Sequence, residues 1–408
     1  MSINLGQAID TAVFSWEARF AQYLGWILLV AFGSMFFYTG DDLSRHRLFF
    51  LLAGLPFLAV MAWRPALLRA LLAQKLFQLA LLLVVVAIVT TVVRPGVDWP
   101  GDVAASVRHG VSILLLISII FYVSLRWQEF PHYIVILLAV SGALASIIYV
   151  GQHIVDSGGL DFSTRPTPTL SYARNPIPFG TLLVTSIICS LALLLGSKGW
   201  QRISLYSVLL ALALPGLILT QSRGAFLPLV VVLAVMAVRL RLWPLLALGV
   251  ALVGAVAVLL VSDNQYRDLL ETRNIEIRLD IYAETLRDVR ESPLLGRGWV
   301  ESLRISVGER SYSHSHNTYL SVLLLGGVVG LVCFLMLLIY ALGFGWKESS
   351  RETPVIFAAF GCIIAFSVSS LTDTWWIYRT PHVSWVTFWL PYAVLLVMAM
   401  RQRPREYI

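Results

Sequence analysis

Residues 203–238 read ISLYSVLLALALPGLILTQSRGAFLPLVVVLAVMAV, and the only polar break in that run is TQSRG at 220–224. A membrane-spanning helix takes about 20 apolar residues, so the stretch is barely long enough for two crossings joined by a tight turn. The rest of the chain follows the same rule. Of 408 residues, 58% are apolar and 13% charged, against about 45–50% and about 25% in soluble domains. A water-facing surface at this size needs more charge, so most of the surface must face lipid. The composition predicts an all-α polytopic membrane protein. It excludes a cytosolic enzyme, a disordered chain and an outer-membrane barrel, whose strands would show short alternating segments.

Hydrophobic runs predict twelve spans, at 22–38, 47–62, 75–93, 109–125, 132–153, 176–195, 203–220, 225–238, 243–261, 317–343, 354–371 and 382–400. They form a single integral membrane domain over 1–408. Two connections are longer than turns: a large loop at 262–316 and a smaller Pro-rich loop at 154–176. Lys and Arg concentrate in the short loops on the side that holds both termini, among them Arg64, Arg126, Arg202, Arg239 and Lys347. The positive-inside rule makes that side cytoplasmic, and Trp63, Trp127, Trp200, Trp243 and Trp346 beside those cations suit an interfacial belt. The 262–316 loop then faces outward, which in a bacterium is the periplasm, where no nucleotide donor is available. The first twenty residues lack a basic region followed by a cleavage site, so the first span is read as uncleaved.

The net charge of +7 does not point to nucleic acid, because the cations are dispersed at the ends of apolar runs with no clustered stripe. Cys189, Cys333 and Cys362 fall inside such runs without metal-ligand spacing. Within the large loop, residues 274–291 place Ile275, Leu279, Tyr282, Leu286 and Val289 on one helical stripe. The pattern predicts an amphipathic helix on the outer boundary, roofing the bundle.

Candidate chemistry gathers at the outward ends of the spans. Arg223 lies at the edge of the hydrocarbon region, either snorkelling to headgroups or serving as a fixed cation for an anionic group, with Ser222 supplying a hydroxyl and Gly224 allowing close approach. His316, in SHSHNTYLSVLLL, stands over the positive end of a helix dipole. That position keeps the imidazole neutral, as a general base requires, or marks an ordinary polar residue at the interface. On a helix His314 would point elsewhere, and a two-histidine metal site wants a spacing such as i, i+4, so no metal is expected. Arg278, one turn before Tyr282, is either a solvated charge or a second anion ligand. Arg174 and Asn175, ahead of Pro176, are binding candidates. Asp41 and Asp42 offer a carboxylate as catalytic base or metal ligand, or are ordinary loop charges. Arginine grips phosphate through a bidentate fork and keeps its charge, so a diphosphate-bearing substrate on a lipid carrier would match, with no cofactor.

Three motifs carry a resemblance. His316-Asn317, nine residues, then Gly327-Val-Val-Gly330 resembles the signature of the O-antigen ligases. Arg278 through Tyr282 to Pro293-Leu-Leu-Gly296-x-Gly298 resembles the pattern of the wider ligase and polymerase superfamily, as does Ser222-Arg223-Gly224. With twelve spans and one late outward loop, the resemblance covers essentially the whole chain. It implies a GT-C-like, metal-independent, inverting glycosyltransferase of the bacterial inner membrane. The donor would be an undecaprenyl-diphosphate-linked glycan and the acceptor a sugar hydroxyl of lipid A–core. By the same resemblance His316 is the base, Arg223 and Arg278 hold the diphosphate, and Arg174, Asn175, Ser222, Tyr282, His314 and Asn317 line the substrate site. The second histidine, His314, departs from the pattern. The nearest competing readings are O-antigen polymerase and protein O-oligosaccharyltransferase. A transporter or flippase of an anionic lipid-linked substrate is a further one, but would place broken or charged helices near mid-membrane.

Overall fold

The computed structural model describes residues 5–37, 42–159, 165–171, 173–241, 273–299, 304–350, 353–373 and 376–402, together with isolated positions between 243 and 254. It is a helical bundle. In chain order come α1 (Leu5–Ser34), α2 (Asp42–Phe49), a π-turn (Phe50–Gly54) and α3 (Leu55–Trp63), then α4 (Pro65–Leu72), α5 (Lys75–Val92), α6 (Gly101–Arg126) and α7 (Phe130–Ser157). They are followed by α8 (Pro176–Leu195), α9 (Trp200–Leu219), α10 (Arg223–Leu240) and α11 (Arg273–Val289). A small hairpin, β1 (Ile305–Val307) and β2 (Arg310–Tyr312), leads into α12 (Thr318–Glu348), α13 (Pro354–Ser369), a second π-turn (Trp385–Trp389) and α14 (Leu390–Arg401).

By length and composition, eight helices among the described residues could cross a membrane: Ser44–Trp63, α5 to α10, and α12. Three other expected spans coincide with α1, which begins well before residue 22, with the shorter apolar α13, and with Trp385–Arg401. The expected span at 243–261 and most of the loop before α11 lie outside the described residues.

Helix α8 is the hub, packing against α7, α9, α10 and α13. Small residues let these backbones approach, as lipid-phase helix contacts require. Gly142 of α7 lies against Ser186 of α8, whose Oγ donates to the Ala139 carbonyl at 2.9 Å. Gly216, next to Pro215 inside α9, gives its N–H to Ser146 Oγ at 2.9 Å. At one end of α6, buried Glu17 pairs with Arg126 at 2.8 Å and Arg64 at 2.5 Å. At the other end Arg94 pairs with Asp102 and donates to the Arg297 carbonyl at 3.2 Å.

Helix α12 is broken. At Gly327 the backbone turns to φ 62°, ψ −167°, and the Pro293–Gly298 segment enters the break. Arg297 and Gly298 donate their N–H groups to the Leu324 and Leu325 carbonyls at 2.9 and 2.8 Å. Val328 and Val329 donate to Pro293 and Leu294 at 2.9 and 3.2 Å. Each half-helix thus satisfies across the gap the groups that its break exposed, which buried backbone demands. Trp299 then covers Gly326 and Gly330 with its ring, and its backbone N–H donates to Thr91 Oγ1 at 3.1 Å. The paired glycine motifs of the sequence therefore build a backbone-to-backbone lock.

Helix α11 occupies the expected amphipathic segment, but its packed face is not the expected one. Ile281 and Thr285 are fully buried and Arg278 and Tyr282 half-buried, whereas Leu279 and Leu286 are 59% and 45% exposed. Residues 278, 281, 282 and 285 share one face at i, i+3, i+4 and i+7, and that face carries Arg278 inward.

Candidate active site

The site is assembled around the turn before α12. Asn317 is its N-cap: the side-chain oxygen accepts the Leu320 N–H at 3.0 Å, and the side-chain amide donates to the Leu371 carbonyl at 3.2 Å. Thr318 donates its N–H to Ser370 at 2.8 Å and its hydroxyl to the Asp373 carbonyl at 3.0 Å. The segment following α13 is thereby stitched to the start of α12. Ser315 Oγ donates to the Asn317 carbonyl at 2.6 Å, tightening the turn.

His316 itself has φ +50°, a left-handed conformation uncommon outside glycine and more frequent for histidine than for most residues. The helix begins only at Thr318, so the expectation that His314 points away is corrected. Both histidines precede the helix, and their rings pack together at a tilt of 59° with centroids 4.1 Å apart. Asp373 Oδ1 lies 3.9 Å from His316 Nδ1, beyond hydrogen-bond reach in this state. Burial first, then His314 and the Arg278 charge, pushes His316 down to about 4. The imidazole is therefore neutral near pH 7.

Tyr282, on the inward face of α11, is 3.2 Å from the His316 carbonyl and 3.4 Å from the Leu371 carbonyl through its hydroxyl. It anchors the helix that bears Arg278 to the histidine turn. Ser222-Arg223-Gly224 opens α10 on the other side. A Cβ on Gly224 would lie 3.5 Å from Thr372 Oγ1, placing that turn beside the residue preceding Asp373. Ser222 Oγ is buried and makes no hydrogen bond among the described residues. Asn175 caps α8 by accepting the Ile177 N–H at 2.9 Å, so its side-chain oxygen is already engaged, while Arg174 is exposed at the same turn. Gly180 brings the start of α8 against Ser222 and Ala225. Of the residues expected from the sequence, His314, His316, Asn317, Tyr282 and Arg278 come together. The Ser222–Gly224 turn adjoins them through Thr372, and Arg174 and Asn175 stand at the start of α8, which packs on that turn through Gly180. Asp41 lies outside the described residues, and Asp42 begins α2.

Asp373 was missed. It is the sole acidic residue between Glu352 and Glu406, and a carboxylate at the edge of an apolar run is a signal by itself. With His314 and His316 it forms a set whose ligand atoms, one from each residue, lie within 4.8 Å of one another. That set could draw in around a small cation, since zinc holds nitrogen and oxygen ligands at about 2.0–2.2 Å. Arg165 was passed over too. Its Nε donates to the Thr220 carbonyl at 2.8 Å, tying the described part of the Pro-rich loop to the TQSRG turn.

Comparison with known proteins gives two findings. Residues 207–335 match the family model described as O-antigen ligase, a stretch that contains Arg223, Arg278, His316 and the Gly327 break. An O-antigen ligase of Pseudomonas aeruginosa is 27% identical over 393 residues, covering 93% of this chain and 91% of that protein. The resemblance carried by the three sequence motifs is borne out.

Proposed function

We propose that this chain, an enzyme of the O-antigen ligase type, transfers a polysaccharide from undecaprenyl diphosphate to a sugar hydroxyl of lipid A–core in lipopolysaccharide assembly. The observation that carries the reading is the convergence of a neutral histidine, a carboxylate and two arginine-bearing segments at the starts of α10 and α12. Helix N-termini attract anions, and a fixed guanidinium neutralises charge on a departing phosphate where other enzymes use a metal ion.

In the proposed reaction the acceptor hydroxyl oxygen attacks the anomeric carbon of the donor glycan. The bond from that carbon to the diphosphate oxygen breaks, its electron pair leaves with the diphosphate, and the hydroxyl proton passes to His316. Attack opposite the leaving group inverts the anomeric centre. Arg223 and Arg278 hold the diphosphate and stabilise its growing charge. Asp373 and His314 flank His316, while Tyr282 holds the turn. The low pKa of His316 keeps it unprotonated in the free enzyme. The donor's negative charge beside Arg278 then raises its basicity when it is needed.

The site belongs on the periplasmic face of the inner membrane with both termini cytoplasmic, a placement supported by the distribution of Lys and Arg. The description of the matching family favours ligase over polymerase and protein oligosaccharyltransferase, which would share the donor chemistry. The grouping of the candidate residues at one end of the bundle disfavours a transporter, and the break in α12 is filled by the Pro293–Gly298 backbone instead of lining a binding site. The test is reconstitution of purified protein in nanodiscs with synthetic undecaprenyl-diphosphate glycan and lipid A–core, without metal or nucleotide. Glycosylated lipid A–core is the expected product. Donor polymerisation without the acceptor, or glycan on an added acceptor protein in its place, would overturn the ligase reading.

A further inference from the structure

A buried arginine also lies outside the site described above. Arg45, only 8% exposed, lines an apolar crevice of about 340 Å³ between α1 and α2. Its walls include Trp26, Phe49, Leu52, Pro381 and Trp385. Trp26, Leu48 and Leu52 are 59%, 52% and 43% exposed, so the crevice opens sideways on the face that meets lipid. A buried cation at the membrane edge of an apolar slot is costly and marks a functional position by default.

The crevice is joined to the histidine site by one loop. Asp373 is at its start and Pro381 at its far end. Three hydrogen bonds fix the described part between them: Thr380 N–H to His109 Nδ1 at 3.0 Å, Trp385 Nε1 to the Arg379 carbonyl at 2.9 Å, and Ser384 Oγ to the Trp376 carbonyl at 2.8 Å. Arg379 stacks over Trp376 at 5.7 Å in the same loop. The histidine turn, which the segments bearing Arg223 and Arg278 adjoin, thus packs on the start of a loop whose far end lines an arginine-bearing apolar slot. A transfer between two lipid-borne substrates needs two separate entrances from the bilayer. The two arginines match a diphosphate, and the single buried arginine above an aliphatic slot matches a phosphate monoester carried by an acylated lipid.

We propose that the Arg45 crevice is the docking site of the acceptor, an acylated phosphoglycolipid, with an acyl chain between α1 and α2 and a phosphate on Arg45. The assignment rests on the transferase reading above, but its test has a readout that does not. Full-length protein in nanodiscs is assayed with phosphorylated and enzymatically dephosphorylated lipid A–core, using wild type, Arg45→Ala, Arg45→Lys and the slot-filling Leu52→Trp. Ala59→Trp serves as a control, in the separate cavity beside Glu17 and Arg64. Native mass spectrometry measures lipid A retention on the same proteins.

Loss of one charge-assisted hydrogen bond corresponds to about a 10- to 100-fold change. The acceptor KM of Arg45→Ala should rise by that factor, with donor KM held within about twofold, and the enzyme should no longer distinguish the two acceptors. Leu52→Trp should raise acceptor KM for both, and Arg45→Lys should recover part of the phosphate preference. Lipid A retention should fall in parallel, and Ala59→Trp should match wild type. Unchanged acceptor KM and retention in Arg45→Ala and Leu52→Trp, or a rise confined to donor KM, overturns the crevice assignment. Lost retention in those variants, with no transfer by wild type, keeps the crevice and rejects the transferase reading.

Discussion

Gly327 and Leu294 meet backbone to backbone, with no room for a side chain between them. The two halves of α12 and the Pro293–Gly298 segment exchange four backbone hydrogen bonds across this contact. A Cβ at position 327 would overlap the Leu294 carbonyl at a left-handed φ. Gly327→Ala should therefore lose at least about 1–3 kcal/mol to backbone strain alone, with further loss from the overlap. Thermal unfolding in detergent checks this, with Gly343→Ala, which meets open space in the same helix, expected to unfold at or above the wild-type temperature.

The Tyr282 hydroxyl ties α11 to the His316 and Leu371 carbonyls. Tyr282→Phe removes that tie and keeps the ring. A neutral hydrogen bond is worth about 0.5–1.5 kcal/mol, so kcat should fall about 3- to 10-fold while the unfolding temperature barely moves. A loss no larger in kcat than in an exposed Leu279→Ala control would argue that α11 is held by its apolar contacts alone.

With His316 as the proposed base, its titration sets the acid limb of the rate. Free His316 is held near 4, and only its neutral form accepts a proton, so kcat/KM should stay level down to about that pH and fall below it. Bound diphosphate adds negative charge, so the limb of kcat should lie at higher pH than that of kcat/KM. Arg278→Gln removes a cation that depresses His316, and its kcat/KM limb should move upward. Coincident limbs in kcat and kcat/KM would show that the donor does not tune this group.

Chelators should leave activity unchanged, because in the proposed reaction Arg223 and Arg278, and not a metal, neutralise the leaving diphosphate. Added Zn²⁺ should inhibit, since His314, His316 and Asp373 present three ligand atoms within 4.8 Å of one another and metal binding would occupy the base. EDTA should reverse the inhibition, and His314→Ala should bind Zn²⁺ more weakly by isothermal titration. Activity that requires an added divalent ion would reject the metal-free mechanism.

Much of this was legible because apolar runs and loop charges report the solvent directly. What the sequence concealed came from contacts between distant segments. The break at Gly327 reads as continuous apolar helix, since the partner that satisfies its open backbone groups comes from residues 293–298. His314 and His316 read as divergent because helical spacing was applied to two residues that precede the helix. Asp373 drew no notice because it reaches the histidines only through the hydrogen bonds of Thr318 and Asn317 to the 370–373 turn. The stripe of α11 was drawn through Leu279 and Leu286, which are the exposed ones.

The most direct test of the central claim is single-turnover transfer by His316→Ala, with synthetic undecaprenyl-diphosphate glycan and lipid A–core in nanodiscs free of metal and nucleotide. General-base catalysis contributes about 10²- to 10⁴-fold. The rate should fall by at least about 100-fold while donor binding stays within about twofold of wild type. A His316→Ala enzyme that transfers glycan at the wild-type rate would contradict the account.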